Sequence, residues 1–318
     1  MVTVTTRHIL ALALASSGTL PALAAGADSP AIALPAATSG DRVHYHVRGC
    51  REKWEPGFSS RGAPRCTESD VDIVTRFPGA DGESLWRWTV HGVHPGYPVD
   101  TLVRDPQFLV RRAFAEGVFV ELAIDAQGKP SRIADLVAFR ARLQHYAETL
   151  YGGNAAKAQP LVQAVQAMPD AALLGAVSEY PRALGWFRNV PLVPGSTLDD
   201  VQSMDTGQGR VLQLNRHATV SQPSADDQDL KVVVDMSLDA AQARALVQAA
   251  AENMRKQRSP TAKDEEQIHQ ALTTPMKVSF NATTTVDPRS PWPRSVVTVN
   301  TFELGPQGEH EESTYTRE

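Results

Sequence analysis

The chain has 318 residues, 42% of them apolar and 21% charged, and a formal net charge of −5. That is ordinary globular composition, enough for one large domain or two closely packed ones. Acidic and basic residues are interspersed along it, which excludes the basic footprint of a nucleic-acid binder and a polybasic membrane-surface cluster.

Residues 1–24 read as a cleavable export signal. Arg7 and His8 close a short polar start, and Ile9–Ala15 is an apolar stretch too short for the roughly 20 residues of a membrane-spanning helix. Ser17, Gly18 and Pro21 break the run before Ala22-Leu23-Ala24, a small-x-small cleavage signal with no lipid-accepting Cys after it. Arg7 is the one charged residue of the segment, so the processed chain would carry 30 basic and 36 acidic residues. It would have no transmembrane segment and would lie in the periplasm or outside the cell. Residues 25–40, rich in Ala, Pro, Ser and Gly, form a flexible lead-in, and 41–318 a single α+β domain.

From Asp41 the pattern is short alternating runs, the signature of half-buried strands. Val43, Tyr45 and Val47 share one face of Arg42–Arg48, with His44 and His46 on the other. Cys50 and Cys66 are the two cysteines; in an oxidising compartment they are expected to form a structural disulfide stapling a Gly/Ser/Pro-rich segment. Ser84–Val93 places Trp86, Trp88 and Val90 together, and Val118–Ile124 continues through the turn 125–130 into a hairpin with Ser131–Ala134.

The period then becomes helical. Leu136, Phe139, Leu143, Tyr146, Ala147 and Leu150 follow Asp135 as N-cap and stop at Gly152-Gly153. Two shorter helices are expected over Gln159–Ala167 and Ala171–Tyr180. Strands return at Thr197–Met204, Arg210–Val220 and Leu230–Leu238, then a helix over Asp239–Arg255 with Asp239 and Gln242 as a capping box. Met276–Val286, Arg294–Leu304 and Glu311–Thr316 close the chain as strands. Strands, helices, strands, helix and strands in blocks argue for antiparallel α+β rather than βαβ alternation. Residues 124–133 and 286–296 echo each other as strand, Asp, turn, Pro, Arg, strand, which would give a two-part layout of similar lobes.

Chemical motifs are sparse. There is no G-x-S-x-G, H-E-x-x-H or phosphate-binding Gly-rich loop, and Gly207-Gln208-Gly209 is a turn, so no cofactor is implied. His44 and His46, at i, i+2 on one strand face, and His91 and His94 are candidate metal ligands if their strands adjoin; the alternative is solvent-facing strand residues. Asp199-Asp200 and Asp226-Asp227 are candidate carboxylate pairs or solvated edges. Trp86, Trp88, Trp186 and Trp292 are candidate pocket residues for an apolar ligand, or plain packing.

The hairpin Val118–Ile133, the helix Asp239–Arg255 and the closing strands Thr283–Leu304 around Val286-Asp287-Pro288 resemble the half-barrel of the periplasmic lipoprotein-carrier superfamily. The same ending resembles that of uncharacterised exported bacterial proteins. The resemblance implies a curved antiparallel sheet partly covered by helices, cupping acyl chains or another apolar small molecule or lipid. The helical stretch Leu136–Tyr180 departs from a minimal half-barrel. The expected function is therefore non-enzymatic, a carrier or binding module in the periplasm; the alternatives are an exported hydrolase with an unrecognised site and an envelope-protein interaction module.

Overall fold

The computed structural model describes residues 31–54, 63–78, 84–92, 106–125, 128–205, 211–221, 228–257, 261–305 and 307–318. Among these residues eleven strands run in chain order: β1 Arg42–Trp54, β2 Arg65–Pro78, β3 Ser84–Gly92, β4 Val120–Ile124, β5 Pro130–Ile133, β6 Thr197–Asp205, β7 Val211–Val220, β8 Leu230–Leu238, β9 Met276–Val286, β10 Pro293–Leu304 and β11 Gln307–Arg317. They form one curved, unclosed antiparallel sheet in the order β5-β4-β3-β2-β1-β11-β10-β9-β8-β7-β6. The first and last strands meet at its centre, Val47 opposite Tyr315. The α+β half-barrel architecture expected from the sequence is the architecture observed.

Strand alternation decides the two faces. Val43, Tyr45, Val47, Val71, Ile73, Trp88, Val296 and Tyr315 are buried on one of them. Five helices cover that half of the sheet: α1 Pro106–Ala115, α2 Leu136–Leu150, α3 Ala155–Gln166, α4 Asp170–Val177 and α5 Glu179–Gly185. Leu109, Phe114, Phe139, Leu143, Leu161 and Leu173 complete the cluster beneath them. Each such side chain withdrawn from water stabilises by about 1.5–3 kcal/mol. The 3₁₀ turn Trp186–Asn189 then carries Phe187, Val190 and Leu192 onto the other half, over Ala218, Val232, Val234 and Val286. Two further helices, α6 Ala240–Gln257 and α7 Ala262–Thr273, are an excursion between paired strands β8 and β9. Residues 31–40 contact the body of the domain: Ile32 N–H donates to the Leu192 carbonyl at 2.8 Å, and Ile32 and Leu34 pack on the second cluster.

Several local details differ from the sequence expectation. The stretch Ala171–Tyr180 is two helices, not one, because Pro181 tolerates only a first-turn position and a continuous helix would drive its ring into the Val177 carbonyl. Asp135 stands at the N-cap of α2, but its carboxylate accepts from the Glu121 N–H and from Arg142 instead of capping. Asp239 does cap α6, accepting from Ala241 and Gln242 N–H, while the Gln242 side chain clamps the Gln213 backbone of β7 rather than closing the box. Strand β2 and helices α1 and α7 were not expected. Cys50 and Cys66 face each other across β1 and β2, Cα atoms 4.0 Å apart, and form the disulfide.

Candidate functional site

The covered face gathers the tryptophans. Alternation along β3 turns Trp86 and Trp88 inward and leaves Arg87 and Thr89 outward. Trp292 arrives from the turn 287–292 between β9 and β10, and its ring centroid lies 4.7 Å from that of Trp86, itself 6.1 Å from Trp88. Trp186 opens the 3₁₀ turn and packs against both apolar clusters. The four candidate residues thus occupy the seam between the halves of the helical cover, with Trp86 and Trp292 each 5% exposed.

Beside them lies Arg188, which no sequence signal had singled out. Its guanidinium carbon is 5.7 Å from the Trp86 ring, and Nη2 donates to the Pro291 carbonyl. Burial lowers its pKa, the Tyr45 phenol opposing. The Tyr45 hydroxyl donates to the Pro293 carbonyl at 2.8 Å and Arg317 Nη1 to the Trp292 carbonyl at 2.8 Å. Tyr45, Arg188 and Arg317 together clamp the 287–293 turn from β1, the 3₁₀ turn and β11.

The donors here are incompletely satisfied. Among the described residues, Nε1 of Trp86, Trp88, Trp186 and Trp292 and Nε of Arg188 are buried with no hydrogen-bond acceptor. A buried donor left unpaired costs about 1–3 kcal/mol, and native interiors tolerate few. Five around one seam is a set of groups suited to an acceptor-bearing ligand.

A second polar group occupies the same face further along the central strands. Glu309, 5% exposed, pairs with Arg51 and with Lys53 at 3.1 Å. Glu311 is pushed up to about 7 by burial and then by Glu179, against the opposing charges of Arg51 and Arg111. Tyr180 reaches the Ser69 hydroxyl at 3.5 Å and stacks edge-on to Tyr315. The pattern holds a proton near neutrality inside the fold.

The histidines lie on the outer face. His44 Nδ1 is 2.9 Å from Asp72 Oδ1, a contact that raises its pKa, and His46 Nδ1 is 3.0 Å from Asp70 Oδ1. His91 Nε2 is 3.6 Å from Asp72, so β2 sits between the two histidine strands instead of letting them adjoin. His94 is outside the described residues. Among the described residues no group of three or more His, Cys, Asp or Glu side chains is disposed to hold a metal ion. A cavity of about 290 Å³ also opens on this side, lined by Arg48, Cys50, Glu52, Pro64, His310, Glu312 and Thr314, away from the tryptophans.

Asp199 and Asp200 do not act as a pair: alternation sends Asp199 outward to His217 and Asp200 inward to a buried ion pair with Arg216. Asp226 and Asp227 are outside the described residues.

No protein-family model matches the chain, and no curated protein matches it. A solved structure of lipovitellin, reported for its lipid–protein interactions, is similar at 11% identity and a TM-score of 0.39, covering 88% of this chain. The match spans 25% of the lipovitellin chain.

Proposed function

We propose that the chain is an exported, non-enzymatic binding protein that holds an apolar or amphipathic small molecule between its sheet and the helical cover. The observation that carries the reading is the seam where Trp86, Trp88 and Trp292 meet and Trp186 packs on the same cluster, with indole N–H groups lacking acceptors among the described residues. Aromatic walls with a few polar groups are what a site for such a ligand requires. The seam lies beneath helices and the 3₁₀ turn, so loading involves movement of that cover. Export is supported by the signal-like pattern of residues 1–24 and by the Cys50–Cys66 disulfide, a bond that persists in oxidising compartments.

Native mass spectrometry of the chain expressed with its leader in a Gram-negative host, and purified without detergent, tests the reading. The expected result is a chain beginning at Ala25 that carries an additional mass lost on organic extraction. A ligand-free mass, unchanged after incubation with long-chain amphiphiles, would overturn the binding function; a retained leader would overturn export.

One observation favours an interaction module as the second reading. Strand β6 is at the sheet edge, nine residues long, and presents Val201 at 56% exposure. An edge strand of that length is a template for strand addition by a partner. Retention of an envelope protein that is lost on Val201→Lys, with no bound small molecule, would select it.

A further inference from the structure

The tryptophan seam has a charge imbalance. Arg188 lies beside it, its guanidinium carbon 5.7 Å from the Trp86 ring, and no carboxylate among the described residues pairs with that guanidinium. Its stem runs over Gly128, in the turn that carries Lys129. Burial lowers the pKa of Lys129, with Arg182 lowering it further and Asp125 opposing, and burial lowers that of Arg182, with Glu179 opposing. A buried cation without a counter-ion is expensive, and so is each buried N–H without an acceptor. An apolar molecule would relieve neither cost. An oxyanion relieves both, because it supplies a negative charge and several acceptor lone pairs at once.

We infer that Arg188, with the indole N–H groups of Trp86, Trp186 and Trp292, receives the anionic head group, a carboxylate or phosphate, of an amphipathic ligand whose chain lies along the tryptophans. The inference rests on the binding function proposed above and names the ligand's chemical class. Arg188 suits the role because its planar fork matches an oxyanion bidentately, whereas a lysine would offer a point charge. Its position is fixed from two sides, by the glycine beneath its stem and by the Pro291 carbonyl at Nη2. The guanidinium is therefore oriented before a ligand arrives, which lowers the ordering cost of binding.

The test titrates the processed chain with palmitate, hexadecyl phosphate, 1-hexadecanol and inorganic phosphate, following tryptophan fluorescence and heat of binding. Palmitate and hexadecyl phosphate are expected to bind at least roughly tenfold more tightly than hexadecanol, and Arg188→Gln to remove that preference. Because Arg188→Gln also removes the bond to Pro291, ¹⁵N-indole spectra of the unmutated protein supply a second reading. Hexadecyl phosphate is expected to move the Nε1–H signals of Trp86, Trp186 and Trp292 and leave Trp54, at the opposite end of β1 from Tyr45, in place. Equal binding of hexadecanol and the anions, or unmoved indole signals on binding, would overturn the anionic head group but not the binding function. Binding of none of the amphiphiles would overturn both. Inorganic phosphate binding as tightly as hexadecyl phosphate would keep Arg188 as an oxyanion site and overturn the amphipathic ligand.

Discussion

Arg188 lies across Gly128 so closely that a β-carbon on the glycine would fall 2.3 Å from Arg188 Cδ. The contact joins two distant parts of the chain, the β4–β5 hairpin turn and the 3₁₀ turn, and Arg188 then reaches on to Pro291 in the β9–β10 turn. Gly128 also sits at φ +78°, where a side chain is strained. Gly128→Ala is therefore expected to cost about 1–2 kcal/mol for the backbone alone, more with the clash, and to displace the guanidinium. Urea unfolding reads the first effect, and loss of anionic-amphiphile binding the second. A variant with unchanged stability and binding would show that Arg188 does not depend on this seat.

The two turns that Arg188 bridges are the pair whose similarity was visible in the sequence, 124–133 and 286–296. The sheet was legible for a plain reason: Val43, Tyr45 and Val47, or Leu230, Val232 and Val234, alternate without interruption, and alternation is a local property. Strand β2 alternates as well, but only Val71 and Ile73 are apolar on its buried side before the polar Thr75, so the signal is short. Helix α1 offered Pro106 at its first position and buried Leu109, Val110, Ala113 and Phe114, a signal present but short. The tryptophans could be singled out by type. Arg188 could not, since what marks it is the lack of a counter-charge among the described residues, and that depends on the fold of residues far away in sequence.

Adjacent Asp199 and Asp200 make the power of alternation testable. Asp200 is 4% exposed in its side chain and paired with Arg216 at 7%, with Gln202 donating to it at 2.9 Å. Asp200→Ala strands a buried guanidinium and is expected to cost about 3–5 kcal/mol. Asp199 is 77% exposed and meets the half-exposed His217, so Asp199→Ala is expected to cost no more than about 1 kcal/mol. Denaturant midpoints of the two variants check the contrast; equal losses would contradict the inward placement of Asp200.

The disulfide joins directly opposed residues of β1 and β2 and closes a segment with a sequence separation of 16. Reduction, or the double change Cys50→Ser and Cys66→Ser, releases loop entropy to the unfolded chain and is expected to lower unfolding free energy by about 3 kcal/mol. Urea curves with and without reductant measure it, and the intact mass of the oxidised chain falls two hydrogens short of the reduced one. An unchanged midpoint would mean that the β1–β2 ladder alone restrains the segment.

Glu311 sets a pH dependence whose direction follows from its burial. In the folded chain its carboxyl is pushed up to about 7 from an ordinary 4.5, by burial first and by Glu179 next, with Glu309 adding to the effect. Between those two pH values the folded protein holds a proton that the unfolded chain has released, so stability falls as pH rises through that window and the penalty is complete above it. Arg51 and Arg111 face the same carboxyl and limit the shift without reversing it. Glu311→Gln keeps the shape and removes the titration. It is expected to match the wild type near pH 4, where both are neutral at this position, and to exceed it at pH 8, giving a flatter profile of unfolding free energy between pH 5 and 8. A variant that keeps the full wild-type slope would show that Glu311 does not set it.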